Sequence, residues 1–369
     1  MKRILNILFV LAALTTATYA QQPGWLHKDL ATDQIFGISA EKAYAGLLKG
    51  KKASSIIVAV LDAGADYKHE DLRNIIWKNK KETPDNGKDD DKNGYADDKY
   101  GWNFFEDNAV VDGKDCDHGT HVSGIIAAER NNGLGIDGIA DHALIMPVRM
   151  VTTGDERDID VARAIYYAVN NGARIINMSF GKTFSPQKSM VDSAVKYAVS
   201  KDVLFVHAAG NSHKDIDAED NFPKAVYLDG GSAAASWIEV GASGFKDDRS
   251  LAAYFSNYGA RTVDLFAPGV RIFSTIPGSK YESYNGTSMA APVVTGIAAL
   301  VRAYFPELTA VQVKEILVKS VIKVTHDVQL PGKAGTLVPF SQLCSSGGVV
   351  NAYSALVLAE EYSKERASK

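Results

Sequence analysis

The 369-residue chain is predicted to fold as an α/β protein: a three-layer, doubly wound, mostly parallel sheet with helices on both faces. Three observations predict it. Short, continuous apolar runs of strand length recur along the chain, as suits strands buried on both faces. Stretches with apolar residues three and four apart lie between several of them. The two patterns alternate, which argues for βαβ units and not for separate sheet and helix domains.

The elements follow in chain order. Residues 1–20 have the pattern of a secretory signal peptide. Lys2 and Arg3 precede an apolar run from Ile4 to Leu14, and Thr18 and Ala20 occupy the −3 and −1 positions of a cleavage site. The run falls short of the roughly 20 residues of a bilayer span. Export to the periplasm or the medium is therefore expected, with no stable membrane span after cleavage. Residues 21–54 form a lead-in, extended through Trp25, His27 and Phe36, with helical spacing over 40–48. The main domain is expected over 55–362, with 363–369 as a frayed tail. Strands are expected at 56–61, 143–149, 174–178, 203–208 and 237–242. Helices are expected at 159–171, 188–200, 288–304, 309–319 and 351–362, with Pro306 separating the third and fourth. The segment 78–115 is rich in Asp, Asn, Gly and Lys and is expected as a surface excursion.

Composition excludes some classes. A hydrophobic share of 46% supports a sizeable core. The formal charge of −4 carries no basic stripe, which argues against a nucleic-acid partner. A monomer is expected. Cys116 and Cys344 are the two cysteines; nothing in the sequence places them within bridging distance, and a chain of this size does not need a disulfide framework.

Three segments carry chemistry. Asp62-Ala63-Gly64 closes the first buried strand, and open α/β sheets gather reacting groups at that end. An aspartate there, taken alone, reads as a strand-end residue that caps a turn. Residues 117–125 (DHGTHVSGI) place Gly119 directly after His118, which removes a side chain where something approaches closely. His118 and His121 share a helix face, but without a third ligand or an H-E-x-x-H glutamate zinc is not favoured. His121 is expected to be packed and hydrogen-bonded. Residues 285–292 (NGTSMAAP) put Ser288 at the start of a small-residue helix, whose N-terminus offers N–H groups and positive potential to a developing oxyanion. Alone, that serine reads as a helix cap.

In the order Asp, His, Ser, these segments resemble the subtilisin-like serine protease family. The resemblance covers roughly residues 55–303, and H-G-T-H-V-x-G and G-T-S-M-A-x-P are its specific motifs. It implies a secreted serine endopeptidase acting on peptide or protein substrates through an acyl-enzyme, with no cofactor for catalysis. Ser288 would attack, His118 would move the proton and Asp62 would orient His118. The resemblance further implies that Asn211 donates its side-chain amide to the oxyanion. It makes Ser179, Phe180 and Gly181 the edge that pairs with substrate backbone, and Ala208, Ala209 and Gly210 the other wall of the P1 pocket. Relatives usually carry Ser or Thr directly after the catalytic Asp, whereas this chain has Ala63. Many carry an inhibitory pro-domain, for which residues 21–55 look too short, so activation is expected to need a short clip or none. Two alternatives stay open: a weak or inactive binding protein on the same fold, and an esterase or amidase using the same triad.

Within the polar excursion, residues 89–97 read D-x-D-x-N-G-x-x-D. Alternating oxygen side chains and a glycine for the sharp turn suit a structural calcium ion. Asp89, Asp91, Asn93, the Tyr95 carbonyl and Asp97 are the candidate ligands. The glutamate that closes an EF-hand loop is absent, because Tyr100 falls at its place. The alternative is a solvated acidic turn balanced by Lys88, Lys92 and Lys99.

Overall fold

The computed structural model describes residues 24–152 and 154–367, so the signal-peptide segment lies outside the described residues. In chain order the strands are β1 (Ile56–Asp62), β2 (Trp102–Asn103), β3 (Ala143–Arg149), β4 (Ile175–Met178), β5 (Leu204–Ala208), β6 (Trp237–Ser243), β7 (Leu265–Pro268), β8 (Ile272–Ile276), β9 (Lys280–Tyr284), β10 (Ile322–Lys323), β11 (Asp327–Gln329), β12 (Leu337–Pro339) and β13 (Gly348–Val349). The helices are α1 (Leu30–Asp33), α2 (Ala40–Ala45), α3 (Asp117–Ala127), α4 (Asp158–Asn170), α5 (Lys188–Ser200), α6 (Thr287–Tyr304), α7 (Ala310–Lys319) and α8 (Ala352–Ala367).

Nine strands form one sheet in the order β10-β13-β7-β6-β5-β4-β1-β3-β2. Neighbours are parallel except β10 with β13. Side chains alternate across each strand, and that alternation builds the three layers. Val58 and Val60 of β1 enter the core shared with α3 and α6, while Ala59 and Leu61 enter the one shared with α4 and α5. Helix α4 presents Val161, Ala164, Ile165 and Ala168 to that second core, the spacing of one helical face. Helix α6 is apolar on all sides because it runs through the interior. By length and composition it could cross a membrane, yet 89% of that apolar window is buried within the fold. Helix α7 begins with a capping box between Thr309 and Gln312.

Several expectations change. The lead-in is not simply extended: Trp25–His27 makes a 3-10 turn and α1 follows it. It belongs to the core, since Trp25 Nε1 donates to the Arg271 carbonyl at 3.3 Å and Asn351 Nδ2 donates to Ser39 Oγ at 2.7 Å. Helix α8 runs through the expected tail to Ala367, where Arg366 donates to the Glu307 carbonyl at 2.5 Å. Cys116 and Cys344 are both buried and free. Strands β2 and β7 to β13, of two to five residues each, are additional to the expected strands.

Candidate active site

The chain lays β3 on one side of β1 and β4 on the other. In an open α/β sheet, the crevice beyond the carboxyl ends of strands at such a reversal is where reacting groups collect. Asp62 is the last residue of β1 and is 3% exposed. The Ala63 amide donates to Asp62 Oδ1 at 2.7 Å. His118 is the second residue of α3, and its Nδ1 stands 2.9 Å from both Asp62 carboxylate oxygens.

Two glycines allow this approach. A Cβ on Gly119 would lie 2.0 Å from the Gly64 carbonyl oxygen and 3.1 Å from Asp62 Cβ. Gly64 itself has φ +88°, and a Cβ there would meet the Val111 carbonyl oxygen at 2.1 Å. Thr120 fastens the turn, its hydroxyl donating to the Cys116 carbonyl at 2.6 Å and accepting the Asp66 amide at 2.9 Å. Burial works against the charged form of His118, but the Asp62 charge and hydrogen bond outweigh it. The imidazole is therefore held above the ordinary histidine value. The His118 side chain keeps 37% of its surface open to solvent.

Ser288 is the second residue of α6. Pro292, four residues on, has no N–H, so the Ser288 carbonyl lacks its helical donor. Ser179 Oγ takes that place, donating to the Ser288 carbonyl at 2.9 Å. In return Ser288 Oγ donates to the Ser179 carbonyl at 3.0 Å. The Ser288 hydroxyl is thus engaged by Ser179 in this structure, with no hydrogen bond to His118 among the described residues. Ser179 Oγ also accepts Asn177 Nδ2 at 3.0 Å, and Asn177 Oδ1 accepts Thr295 Oγ1 at 2.8 Å, which ties the end of β4 to α6.

Asn211 follows β5. Its Oδ1 accepts the Thr287 amide at 2.8 Å and the Thr287 hydroxyl at 3.1 Å. With Oδ1 committed, Nδ2 is the donor end, and it carries no hydrogen bond among the described residues. A point at the missing Cβ of Gly286 lies 3.5 Å from both Asn211 Nδ2 and the Ser288 amide nitrogen, so two donors flank one small space.

The cleft beside these groups has a volume of about 380 Å³, and Phe180, Gly181, Ala208, Gly210, Asn211 and Ser288 are among its lining residues. Ala209 does not line it. It is buried, and its carbonyl accepts Asn257 Nδ2 at 2.7 Å and Asn221 Nδ2 at 3.1 Å. A larger hollow of about 690 Å³, bordered by Asp248, Ser250, His326 and Leu337, shares no residue with this cleft; its Ser250 hydroxyl donates to Asp248 Oδ1 at 2.5 Å and has no hydrogen bond to His326 among the described residues.

His207 sits behind the substrate edge. Its Nδ1 is 2.9 Å from Glu239 Oε1, its register partner on β6, and its Nε2 donates to the Phe180 carbonyl at 2.8 Å. Trp237 Nε1 donates to Glu239 Oε2 at 2.9 Å. Nothing in the sequence motifs marked His207 or Glu239. Their signal was a titratable residue inside each of two otherwise apolar strands.

The structure also orders the acidic loop. Asp89 and Asp91 come together with Glu82, ligand oxygens of all three lying within 4.8 Å of one another. Glu82 lies outside the motif and is buried. Burial pushes its carboxyl up; amides from Asp91 and Asp90 oppose this, and the charges of Asp98 and Asp91 add to it. Asn93 Nδ2 donates to the fully buried Asp98 at 3.0 Å. Asp97 is turned elsewhere, accepting the Asn86 amide at 2.9 Å and the Gly87 amide at 3.0 Å. The Tyr95 ring packs edge-on against Trp102, Phe104 and Tyr167.

Residues 53–343 match the sequence pattern of the subtilase family. The chain belongs to that family. Among relatives of this subtilase, the thermophilic serine proteinase of Bacillus sp. (strain AK1) is 34% identical over 297 residues, covering 80% of this chain and 61% of that protein. The major intracellular serine protease of Bacillus subtilis (strain 168) is 37% identical over 273 residues, covering 73% of this chain and 76% of that one. Among solved structures, a protease from Pseudoalteromonas arctica PAMC 21717 superposes with a TM-score of 0.66 at 25% identity, covering 89% of this chain and 96% of that one. The subtilase thus spans about three-fifths of the length of the thermophilic proteinase.

Proposed function

We propose that this chain is an exported serine endopeptidase that hydrolyses peptide bonds through an acyl-enzyme. The observation that carries the proposal is the His118 Nδ1–Asp62 pair at 2.9 Å, standing at the strand-order reversal where β4 and α6 also deliver Ser288. An alcohol needs a positioned base to attack at neutral pH. The Ser288 hydroxyl turns from the Ser179 carbonyl toward His118 Nε2. Its oxygen then attacks the scissile carbonyl carbon as the proton passes to His118. Asp62 holds the imidazole with Nδ1 protonated and stabilises the imidazolium. Asn211 Nδ2 and the Ser288 amide receive the oxyanion. The C–N bond breaks as His118 returns the proton to the leaving amine. Water, deprotonated by His118, then releases the acyl group from Ser288, which regains its proton.

Ser179, Phe180 and Gly181 offer backbone to an extended substrate, and Ala208 and Gly210 border the P1 pocket. Ala209 contributes by holding that wall in place. The Lys2, Arg3 and Ile4–Leu14 leader is the support for export. Asp89, Asp91 and Glu82 fit a structural calcium ion, because three converging carboxylates, one of them buried, call for a cation. Catalysis itself uses no cofactor. A fluorophosphonate probe tests the reading: labelling of the wild type, lost in Ser288→Ala, is expected, and no labelling would favour an inactive binding protein. Casein turned over alongside small esters is expected, and esters alone would point to an esterase.

A further inference from the structure

We propose that Glu156 makes this cleft select a lysine or arginine side chain at P2 or P4 of the substrate, an inference that rests on the endopeptidase reading. Glu156 lines the catalytic cleft together with Phe180 and Lys182, and it is 5% exposed. Its Oε1 is buried and has no hydrogen-bond partner among the described residues. A buried carboxylate oxygen without a donor is costly, and a cationic group that enters the cleft relieves the cost.

The neighbouring cation does so only in part, without a hydrogen bond to that oxygen. Lys182 Nζ is 2.8 Å from Asp158 Oδ1 and donates to the Glu156 backbone carbonyl at 2.5 Å, but stands 4.0 Å from Glu156 Oε1. Two of its three donors are therefore directed at other acceptors. Elsewhere along the lining, Lys214 is paired with Glu219, and Asp220 with Lys224. Asp155, beside Glu156, has no ion pair among the described residues. The unmatched charge of the cleft is negative, and its buried part is Glu156.

Glu156 and Ala208 line one cleft from different sides of the sheet, and we take this to separate the substrate positions they meet. Ala208, on the P1 wall, packs into the core shared with α3 and α6. Glu156 also borders a crevice with Val161 of α4 and Val191 of α5, on the opposite side. Side chains of an extended peptide alternate between faces. If P1 points toward Ala208, then P2 and P4 point toward Glu156. Burial pushes the Glu156 carboxyl up to about 7, against the opposing charges of Lys182 and His207 and with that of Asp155 adding. Asp158, also nearby, is taken up by Lys182. Selection for a cation therefore strengthens as pH rises through neutrality.

The test compares peptides carrying lysine or norleucine, its uncharged near-isostere, at P2 and separately at P4, with active sites counted by fluorophosphonate. The wild-type kcat/KM ratio of lysine to norleucine at one of these positions is expected to exceed about tenfold at about pH 8. It is expected to shrink toward about pH 6. In Glu156→Gln the ratio should fall about tenfold or more and lose its pH dependence. The wild-type pH comparison carries the test even if that variant yields no titratable sites. Norleucine peptides cleaved with a ratio near one at both positions and both pH values would overturn the proposal and leave the endopeptidase reading intact. A ratio unchanged in Glu156→Gln would likewise overturn it. Failure to cleave any peptide would instead remove the endopeptidase reading, and this inference with it.

Discussion

Ser179 and Ser288 hold each other reciprocally, each hydroxyl donating to the other's backbone carbonyl at 2.9 and 3.0 Å. Pro292 creates half of this exchange by leaving the Ser288 carbonyl without a helical donor. The other half turns the proposed nucleophile away from its base. Ser179→Ala removes the first bond and leaves the Ser288 carbonyl and Asn177 Nδ2 short of a buried partner, a cost of about 1–3 kcal/mol. The N-terminus of α6 should lose its fixed position. A kcat roughly tenfold lower with KM nearly unchanged is expected in steady-state peptide hydrolysis. A KM effect alone would assign Ser179 to substrate binding and not to positioning.

Asp62 stabilises the imidazolium and fixes its tautomer, so Asp62→Asn is expected to lower kcat by about 10⁴. His118 acts as base when neutral. Activity should therefore rise with pH through a midpoint above about 6.5, the ordinary histidine value. In Asp62→Asn the larger raising charge is gone, while burial and the smaller raising charge of Asp117 remain, so the residual activity should show a midpoint shifted to lower pH. The same pair contributes stability that is full below about pH 6.5 and is lost as pH rises through the higher folded value. Initial-rate profiles over about pH 5 to 9 check both signs.

The strands and motifs that position the triad were legible because each has a strong local signal. The 56–61 run had to be buried on both faces, and the H-G-T-H and G-T-S-M-A-x-P segments are long enough to be specific. What surrounds the triad was not legible, because it is made by contacts between distant residues. Glu82 joins Asp89 and Asp91 only once the loop folds back on itself. His207 and Glu239 matter because β5 and β6 are adjacent and in register. Glu156 and Lys182 are ordinary charged residues until α4 and the end of β4 place them in one cleft. The start of the lead-in carries no periodic signal, because a 3-10 turn of three residues is too short to leave one, although Trp25 and Leu26 join the main core.

Ala63 follows Asp62 at the position where relatives usually carry a hydroxyl. Its amide already donates to Asp62 Oδ1 at 2.7 Å, so besides His118 Nδ1 the carboxylate keeps a backbone donor without that hydroxyl. Ala63 is buried, and a serine adds one oxygen to that site. Because a further donor holds the carboxylate more firmly, Ala63→Ser is expected to keep or raise kcat/KM. A clear loss in peptide hydrolysis would show that the pocket around residue 63 cannot accept the oxygen.

The Glu82, Asp89 and Asp91 cluster sets calcium against a solvated acidic turn. Burial and the charges of Asp98 and Asp91 disfavour the ionised Glu82 carboxylate, and a cation bound between Glu82, Asp89 and Asp91 would offset both effects. At calcium about 100-fold above its Kd, binding to the folded state contributes about 2.7 kcal/mol. For a chain of this size that corresponds to a Tm increase of several degrees. Chelation with EGTA should remove that increment and speed autolysis, because the 78–115 excursion would open more often. Glu82→Gln should abolish the calcium-dependent part of the shift even though Glu82 lies outside the motif. A Tm and autolysis rate indifferent to both chelation and Glu82→Gln would leave the loop as a solvated turn whose charges are balanced by its own lysines.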